Sequence, residues 1–403
     1  MKKTAATIIC VIMCLLMSGC GQKESDPVAY HLDDRGGFLT ERKYLIEEQK
    51  LTLDQKIGQL LFVEYRRTAM DEKLEKMLET VQPGGFILFG ENFSTYEKTL
   101  KLVKDVKSCL SIPLFVGCDE EGGRVQRISS LKDRAHPTYD IPTMRSVGNK
   151  GDLGYAEKMG QTIGAMCRVF GINMDFAPVA DIVIDSGDTI ISTRAFGSDS
   201  KLVAEMASAL GRGLQNSGVM PVYKHFPGHG SSAQDSHLAL AVNQRTMAQI
   251  EQFELLPFRK AVEEGAPAIM VGHIALKDLH EESDEDYLMP ATLDKAVITG
   301  ILREQMGFEG LVITDSLQMN GLKNTRYKTD ADIAQAALEA GCDMLLCPKD
   351  ALKLFEQLKE RIENGQLDVG VVDRAVTRIL KYKHLYIWDI YDEYYDAQFL
   401  SGK

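Results

Sequence analysis

The chain has 403 residues, 44% of them hydrophobic, and a formal net charge of -12. That is enough apolar material for one large core or two smaller ones. The acidic balance, with no basic patch standing out, excludes a nucleic-acid binder as the leading reading and mainly implies a soluble surface.

The N-terminus reads as a processing signal. Lys2 and Lys3 make a positive start, and the apolar stretch from Ala5 to Met17 is shorter than the ~18 residues that suggest a membrane span. The run Leu15-Leu16-Met17-Ser18-Gly19-Cys20 resembles a bacterial lipoprotein signal, although Met17 stands where Leu is usual, with Leu16 one position earlier. The resemblance implies removal of residues 1–19, a lipid on Cys20, and attachment to the outer side of a cell membrane. Residues 20–42 are polar and read as a tether, and residues 43–403 as a single catalytic domain. Three cysteines belong to the signal region; Cys109, Cys118, Cys167, Cys342 and Cys347 remain, most of them in apolar surroundings. An odd number in such settings reads as buried small hydrophobes, not as a disulfide framework.

Beyond Lys56, apolar runs of strand length alternate with helical patterns. The strand candidates are 58–64, 85–90, 113–118, 173–179, 219–223, 268–274, 311–314 and 344–347, the fourth weakened by Pro178. Helical patterns lie at 71–80, 94–109, 152–170, 200–216, 247–264, 293–306, 330–340, 349–364 and 371–386. Such alternation over about 350 residues predicts an α/β chain folded as a (β/α)8 TIM-type barrel, within that fold's range of ~200 to >400. An open doubly wound sheet is the alternative. No Gly-x-Gly-x-x-Gly follows the first strand, which weighs against a dinucleotide fold. The tyrosine-rich end (Tyr391, Tyr394, Tyr395) reads as packing or tail.

One stretch concentrates the chemistry. From Lys224 to His237, fourteen positions hold three of the eight histidines, one Lys, one Asp and two glycines. The apolar run Val219 to Tyr223 leads into it, so the polar groups are expected to begin where a strand ends, as at barrel mouths. In extended backbone, Asp235 and His237 point to the same side, so the acid can fix the His tautomer and leave the other nitrogen free for proton transfer. His225 and His229 are spaced as metal ligands would be on a helix, but Pro227-Gly228 between them argues against a helix.

Other polar residues follow other strands. They are Asp119-Glu120-Glu121-Gly122-Gly123-Arg124-Val125-Gln126-Arg127, then Asp181, Arg194, His273 and Asp315. Asp181 reads equally well as a helix N-cap. Asp315 directly follows an apolar strand and is expected to reach the barrel mouth. An acid near a proton-donating His, ringed by charged groups that can grip hydroxyls, suits a sugar. A carboxylate can trap the oxocarbenium-like state of glycosidic cleavage covalently, with the Asp235–His237 pair in place of the usual second acid.

These residues together resemble the NagZ-type β-N-acetylglucosaminidases of glycoside hydrolase family 3. The likeness rests on Lys224-His225-Phe226-Pro227-Gly228-His229-Gly230 with Asp235-Ser236-His237, on Asp119 to Arg127, and on Ile313-Thr314-Asp315. It spans about Leu51 to Tyr386. It implies Asp315 as nucleophile, His237 as general acid/base and Asp235 as its orienting partner. It further implies Asp119, Arg127, Arg194, Lys224 and His225 as the grip on a terminal N-acetylglucosamine, with no metal or cofactor. Removal of that sugar with retention, from peptidoglycan fragments or related glycans, is the expected activity, by a monomer held to the membrane through its N-terminal lipid. Three alternatives stand beside it. They are a substrate-assisted mechanism on Asp119 and Glu120, a phosphorolytic variant, and a non-catalytic sugar-binding lipoprotein.

Overall fold

The computed structural model describes residues 30–32, 38–40, 51–131, 139–184, 191–229, 240–280, 288–322 and 325–387. Cys20 with the expected signal, and the segment bearing Asp235 and His237, lie outside them.

Eight parallel strands form the centre. They are β1 Leu61–Glu64, β2 Gly85–Leu88, β3 Phe115–Cys118, β4 Met174–Asp175, β5 Met220–Phe226, β6 Ala268–Val271, β7 Leu311–Thr314 and β8 Leu345–Leu346. Each pairs with the next as far as β7, and β8 pairs back onto β1. A parallel bridge between Ile313 and Met344 joins β7 to β8 and closes the ring. The TIM-type barrel is therefore realised, and the open sheet is not.

The strands form where apolar residues run unbroken, because a barrel strand is covered on both faces. β2, β3, β6 and β7 are buried at every position. Phe62 on β1 packs edge-on to Phe176, just past β4, at 5.4 Å between centroids. Non-adjacent strands meet this way only inside the barrel. Glycine makes the room: a Cβ at Gly85 would fall 2.4 Å from the Phe62 ring, and one at Gly117 2.9 Å from both rings. The helices start on Thr or Asp caps, as at Thr52, Asp71, Thr95, Asp152, Asp199 and Thr329.

Several boundaries depart from expectation. Gly58 and Gln59 close the helix Leu53–Gln59, whose N-terminus Thr52 and Gln55 lock with a capping box, so the first strand begins later. The helix expected over 247–264 is two, Met247–Gln252 and Leu255–Glu263. The sixth strand stops at Val271; Ile274–Leu276 instead pairs with Ala241–Asn243 in a separate two-stranded sheet. Within the expected tether, Tyr30–Leu32 and Phe38–Thr40 pair antiparallel.

At the N-terminal end of the barrel, Asp343 is fully buried just before β8. Its carboxylate accepts from Arg378 Nε at 2.7 Å, Arg303 Nη2 at 2.8 Å and the Val312 amide at 2.8 Å. This ties the π-helix Ala296–Gln305 and the last helix, Val369–Tyr386, to the start of β7. Cys118, Cys167, Cys342 and Cys347 are buried free thiols and Cys109 a half-buried one, as the sequence predicts.

Candidate active site

The expected residues that are described, Asp119, Arg127, Arg194, Lys224, His225 and Asp315, lie toward the C-terminal mouth of the barrel, held by elements the sequence places only in part; Asp235 and His237 lie outside the described residues. Two glycines shape the loop after β3. Gly122 and Gly123 have φ of 91° and 57°, and a Cβ on Gly122 would lie 2.7 Å from the Pro142 carbonyl oxygen. Glu120 then folds the loop back on itself: its Oε2 accepts the amides of Arg127 at 2.7 Å and Ile128 at 3.0 Å. That return brings Arg127 Nη2 to 3.0 Å from Asp119 Oδ2.

β5 differs most from expectation. It continues through Lys224, His225 and Phe226, so two of the predicted polar residues sit in the strand and not after it. The physical reason is pairing. Lys224 bridges to Val179, and its amide and carbonyl bond to Pro178 and Ala180 across from it. The fourth strand, regular only over Met174–Asp175, thus resumes alongside and delivers Asp181 to His225. Ala177–Pro178, Lys224–His225 and Phe226–Pro227 are cis peptides.

One ionic network joins four of the five predicted sugar-gripping residues. Lys224 Nζ reaches Asp119 Oδ1 at 2.8 Å and Glu121 Oε1 at 2.6 Å. Arg194 closes a two-pronged pair on Glu121, with both contacts at 2.7 Å. Burial pushes Asp119 up, but Lys224 and Arg127 outweigh it and hold the carboxyl well below its usual range. Glu121 shows the same contest: burial is opposed by Arg194 and Lys224, which bring it down to about 2. Lys224 stays protonated, because Asp119 and Glu121 overcome the desolvation of its amine.

The fifth, His225, belongs to a second cluster. Its Nδ1 lies 2.7 Å from Asp181 Oδ2, and Asp181 Oδ1 also accepts the His229 amide at 2.7 Å. Asp181 is therefore an organiser of the two histidines and not a helix N-cap. Burial opposes its charge, yet His225 and the hydrogen bonds keep it below the ordinary value. Asp315 follows β7. Its amide donates to the Val271 carbonyl at 2.9 Å, and its Oδ1 accepts the Ser316 amide at 2.7 Å. Fully buried His273 supports the same segment, with Nε2 at 3.0 Å from the Ser316 carbonyl oxygen and Nδ1 at 2.8 Å from Thr292 Oγ1.

Sequence reasoning missed two residues that hold the site together. Glu121 lies within the Asp119–Arg127 motif with no role evident from the sequence, yet it is the hub between Lys224 and Arg194. His273 was noted only as a strand-end residue. The Asp119–Glu120 alternative loses its geometry, because Asp119 is clasped by Lys224 and Arg127 while Glu120 is sealed from solvent against the loop backbone.

Glu120 has a measurable signature. Its Oε1 has no hydrogen-bond partner among the described residues, and burial raises the carboxyl to about 7 against the two backbone amides that lower it. The raised group favours the fold in its neutral form. Its contribution is complete below about pH 4.5 and is lost as pH climbs toward 7, amounting to roughly 3 kcal/mol if undamped. Asp175, whose Oδ1 accepts the Glu120 amide at 2.9 Å, is raised by burial in the same sense. Denaturant unfolding of wild type and Glu120→Gln between pH 4.5 and 8 is expected to show the wild type losing ground relative to the variant as pH rises. Parallel curves would show that Glu120 is not carrying the proton.

Comparison with known proteins adds a family context. The model for the N-terminal domain of glycosyl hydrolase family 3 matches residues 52–382. A protein named beta-hexosaminidase from Nitrosomonas eutropha is 32% identical over 321 residues, covering 78% of this chain and 86% of that one. Beta-hexosaminidase A from Pseudoalteromonas piscicida is 28% identical over 382 residues, and the match takes in 86% of this chain but only 63% of that protein. The solved structure of a family 3 β-N-acetylglucosaminidase from Paenibacillus sp. FPU-7 superposes with a TM-score of 0.77 at 32% identity, over 83% of this chain and 63% of that one. The chain thus spans under two thirds of the length of these last two relatives.

Proposed function

The chain belongs to glycosyl hydrolase family 3, and on that footing we propose that it is a retaining exo-β-N-acetylglucosaminidase. Its substrates are terminal non-reducing β-N-acetylglucosamine residues on peptidoglycan fragments or related glycans. One observation carries this reading: the network of Asp119, Arg127, Lys224, Glu121 and Arg194 lies at the same mouth as Asp315. Charged donors and acceptors fixed by one another present a pre-ordered surface for sugar hydroxyls, at little cost in side-chain entropy on binding.

In the proposed reaction a carboxylate oxygen of Asp315 attacks the anomeric carbon while the glycosidic oxygen leaves with a proton from His237. Asp235 orients that His. Water then adds to the anomeric carbon, giving up a proton to His237, and the bond to Asp315 breaks. Lipid on Cys20 would hold the enzyme at the outer face of the membrane, where wall fragments are within reach.

The test is turnover of a chromogenic β-N-acetylglucosaminide beside the matching β-glucoside. A preference of at least ~10²-fold for the acetamido sugar is expected, since a site built to bond a polar substituent rejects the analogue lacking it. Equal rates would break the substrate assignment. Binding without turnover in folded protein would favour the non-catalytic reading, and a sugar phosphate as product would favour phosphorolysis.

A further inference from the structure

The opposite end of the barrel carries a second charged concavity, unrelated to the sugar site. Lys295 just before the π-helix, Arg303 within it, Glu339 beside the turn into β8, and Arg374 and Arg378 from the last helix line a cavity of about 220 Å³ open to solvent. The turn Gly341-Cys342-Asp343 precedes β8, so the cavity sits below the N-terminal ends of the strands, away from Asp119, Lys224 and Asp315.

Its charge runs against that of the molecule. Four cations and one carboxylate, Glu339, line it, in a chain whose net charge is -12. Asp343 is fully buried and already satisfied by Arg303, Arg378 and the Val312 amide. Arg303 gives its remaining contacts to the carbonyls of Phe308, Gly310 and Gly341. Thr299 donates to the Ala340 carbonyl at 2.8 Å. Carbonyls at the negative end of the helix Asp330–Ala340 are thereby capped, and do not confront the cavity bare.

What remains is donor-rich. Arg378 spends only Nε on Asp343, and no acceptor for its terminal nitrogens is found among the described residues. Lys295 and Arg374 are exposed, and neither has a carboxylate within 4.0 Å among the described residues. Glu339 is engaged by Gln335 Nε2 at 2.8 Å. Lys295, Arg374 and Arg378 line one cavity with a single carboxylate among its lining residues, and planar guanidinium edges match the oxygens of a tetrahedral oxyanion.

We propose that this cavity is a binding site for a phosphate group, free or as a small monoester, with Lys295, Arg374 and Arg378 as its donors. Thermal unfolding of the full chain is followed while inorganic phosphate is titrated against chloride at constant ionic strength, with glycerol phosphate as a second arm. Phosphate is expected to raise Tm by about 2–4 °C near saturation, by mass action on the folded state. In Lys295→Ala/Arg374→Ala, which alters two exposed side chains, the rise is expected to fall by at least half. Stabilisation by glycerol phosphate as well would assign the site to monoesters, and by inorganic phosphate alone to the free ion. No rise beyond chloride overturns the proposal. So does an equal rise in the double variant, which would put the anion elsewhere, including among the cations of the sugar site. Chromogenic turnover measured alongside in phosphate-free buffer is expected to be the same in both proteins, since neither substituted residue belongs to the network around Asp119 and Lys224 or contacts Asp315.

Discussion

Asp315→Asn is expected to reduce kcat/KM on the chromogenic β-N-acetylglucosaminide by at least ~10³-fold, with Tm within a few degrees of wild type. The substitution is close to isosteric. An amide oxygen can still accept the Ser316 amide that Asp315 Oδ1 takes at 2.7 Å, and the backbone bond to Val271 is untouched. What disappears is the anionic oxygen able to form an ester to the anomeric carbon. A second readout separates chemistry from folding: a small external nucleophile such as azide should restore part of the turnover in the variant, yielding a glycosyl azide of inverted configuration. Activity within tenfold of wild type, in folded protein, would remove Asp315 from the nucleophile's role.

Lys224→Met should be the most destabilising change at the site. The ammonium is almost wholly buried and stands between Asp119 and Glu121, whose side chains are 16% and 1% exposed. Deleting it leaves two carboxylates sharing one remaining guanidinium each, at a cost of about 3–5 kcal/mol near pH 7. The pH dependence identifies the cause. In the wild type Glu121 is held down to about 2, so its contribution is complete above its ordinary range and fades only as pH falls toward that value; Asp119 behaves in the same direction. Without Lys224 both carboxyls titrate higher. The gap between the two proteins should therefore be widest at neutral pH and narrow below about pH 4.5, as the variant's acids take up protons. A gap independent of pH would mean that lost packing, and not charge, sets the cost. Turnover is expected to fall at least ~10²-fold, because Asp119 loses the partner that aims it.

Most of the barrel could be read from the sequence because parallel strands covered on both faces appear as uninterrupted apolar runs. β7 was predicted at its observed bounds, Leu311–Thr314, for this reason. The misreadings occur where a charge is buried with a partner distant in sequence. Lys224 and His225 looked like the residues after a strand, since a buried charge is rare unless paired. Their partners lie 105 and 44 positions away, beyond any local pattern. Asp181 could pass for a cap until the Val179–Lys224 bridge fixed its neighbour. Glu121 needed Arg194, 73 positions on, to acquire a role. The strand switch after Val271 was equally hidden, because Gly272-His273 interrupts an apolar run without a charge change.

The rings of Phe62 and Phe176, fitted over Gly85 and Gly117, have a kinetic consequence. They stopper the barrel beneath the site, so among the described residues no passage runs through its interior. Water that attacks the proposed glycosyl ester therefore comes from the mouth, the same side from which the aglycone departs. The two half-reactions are then forced into sequence by plumbing as well as by bond order. A bulky aglycone that lingers at the mouth delays the second half-reaction, and it favours return of the sugar to the group that has just left.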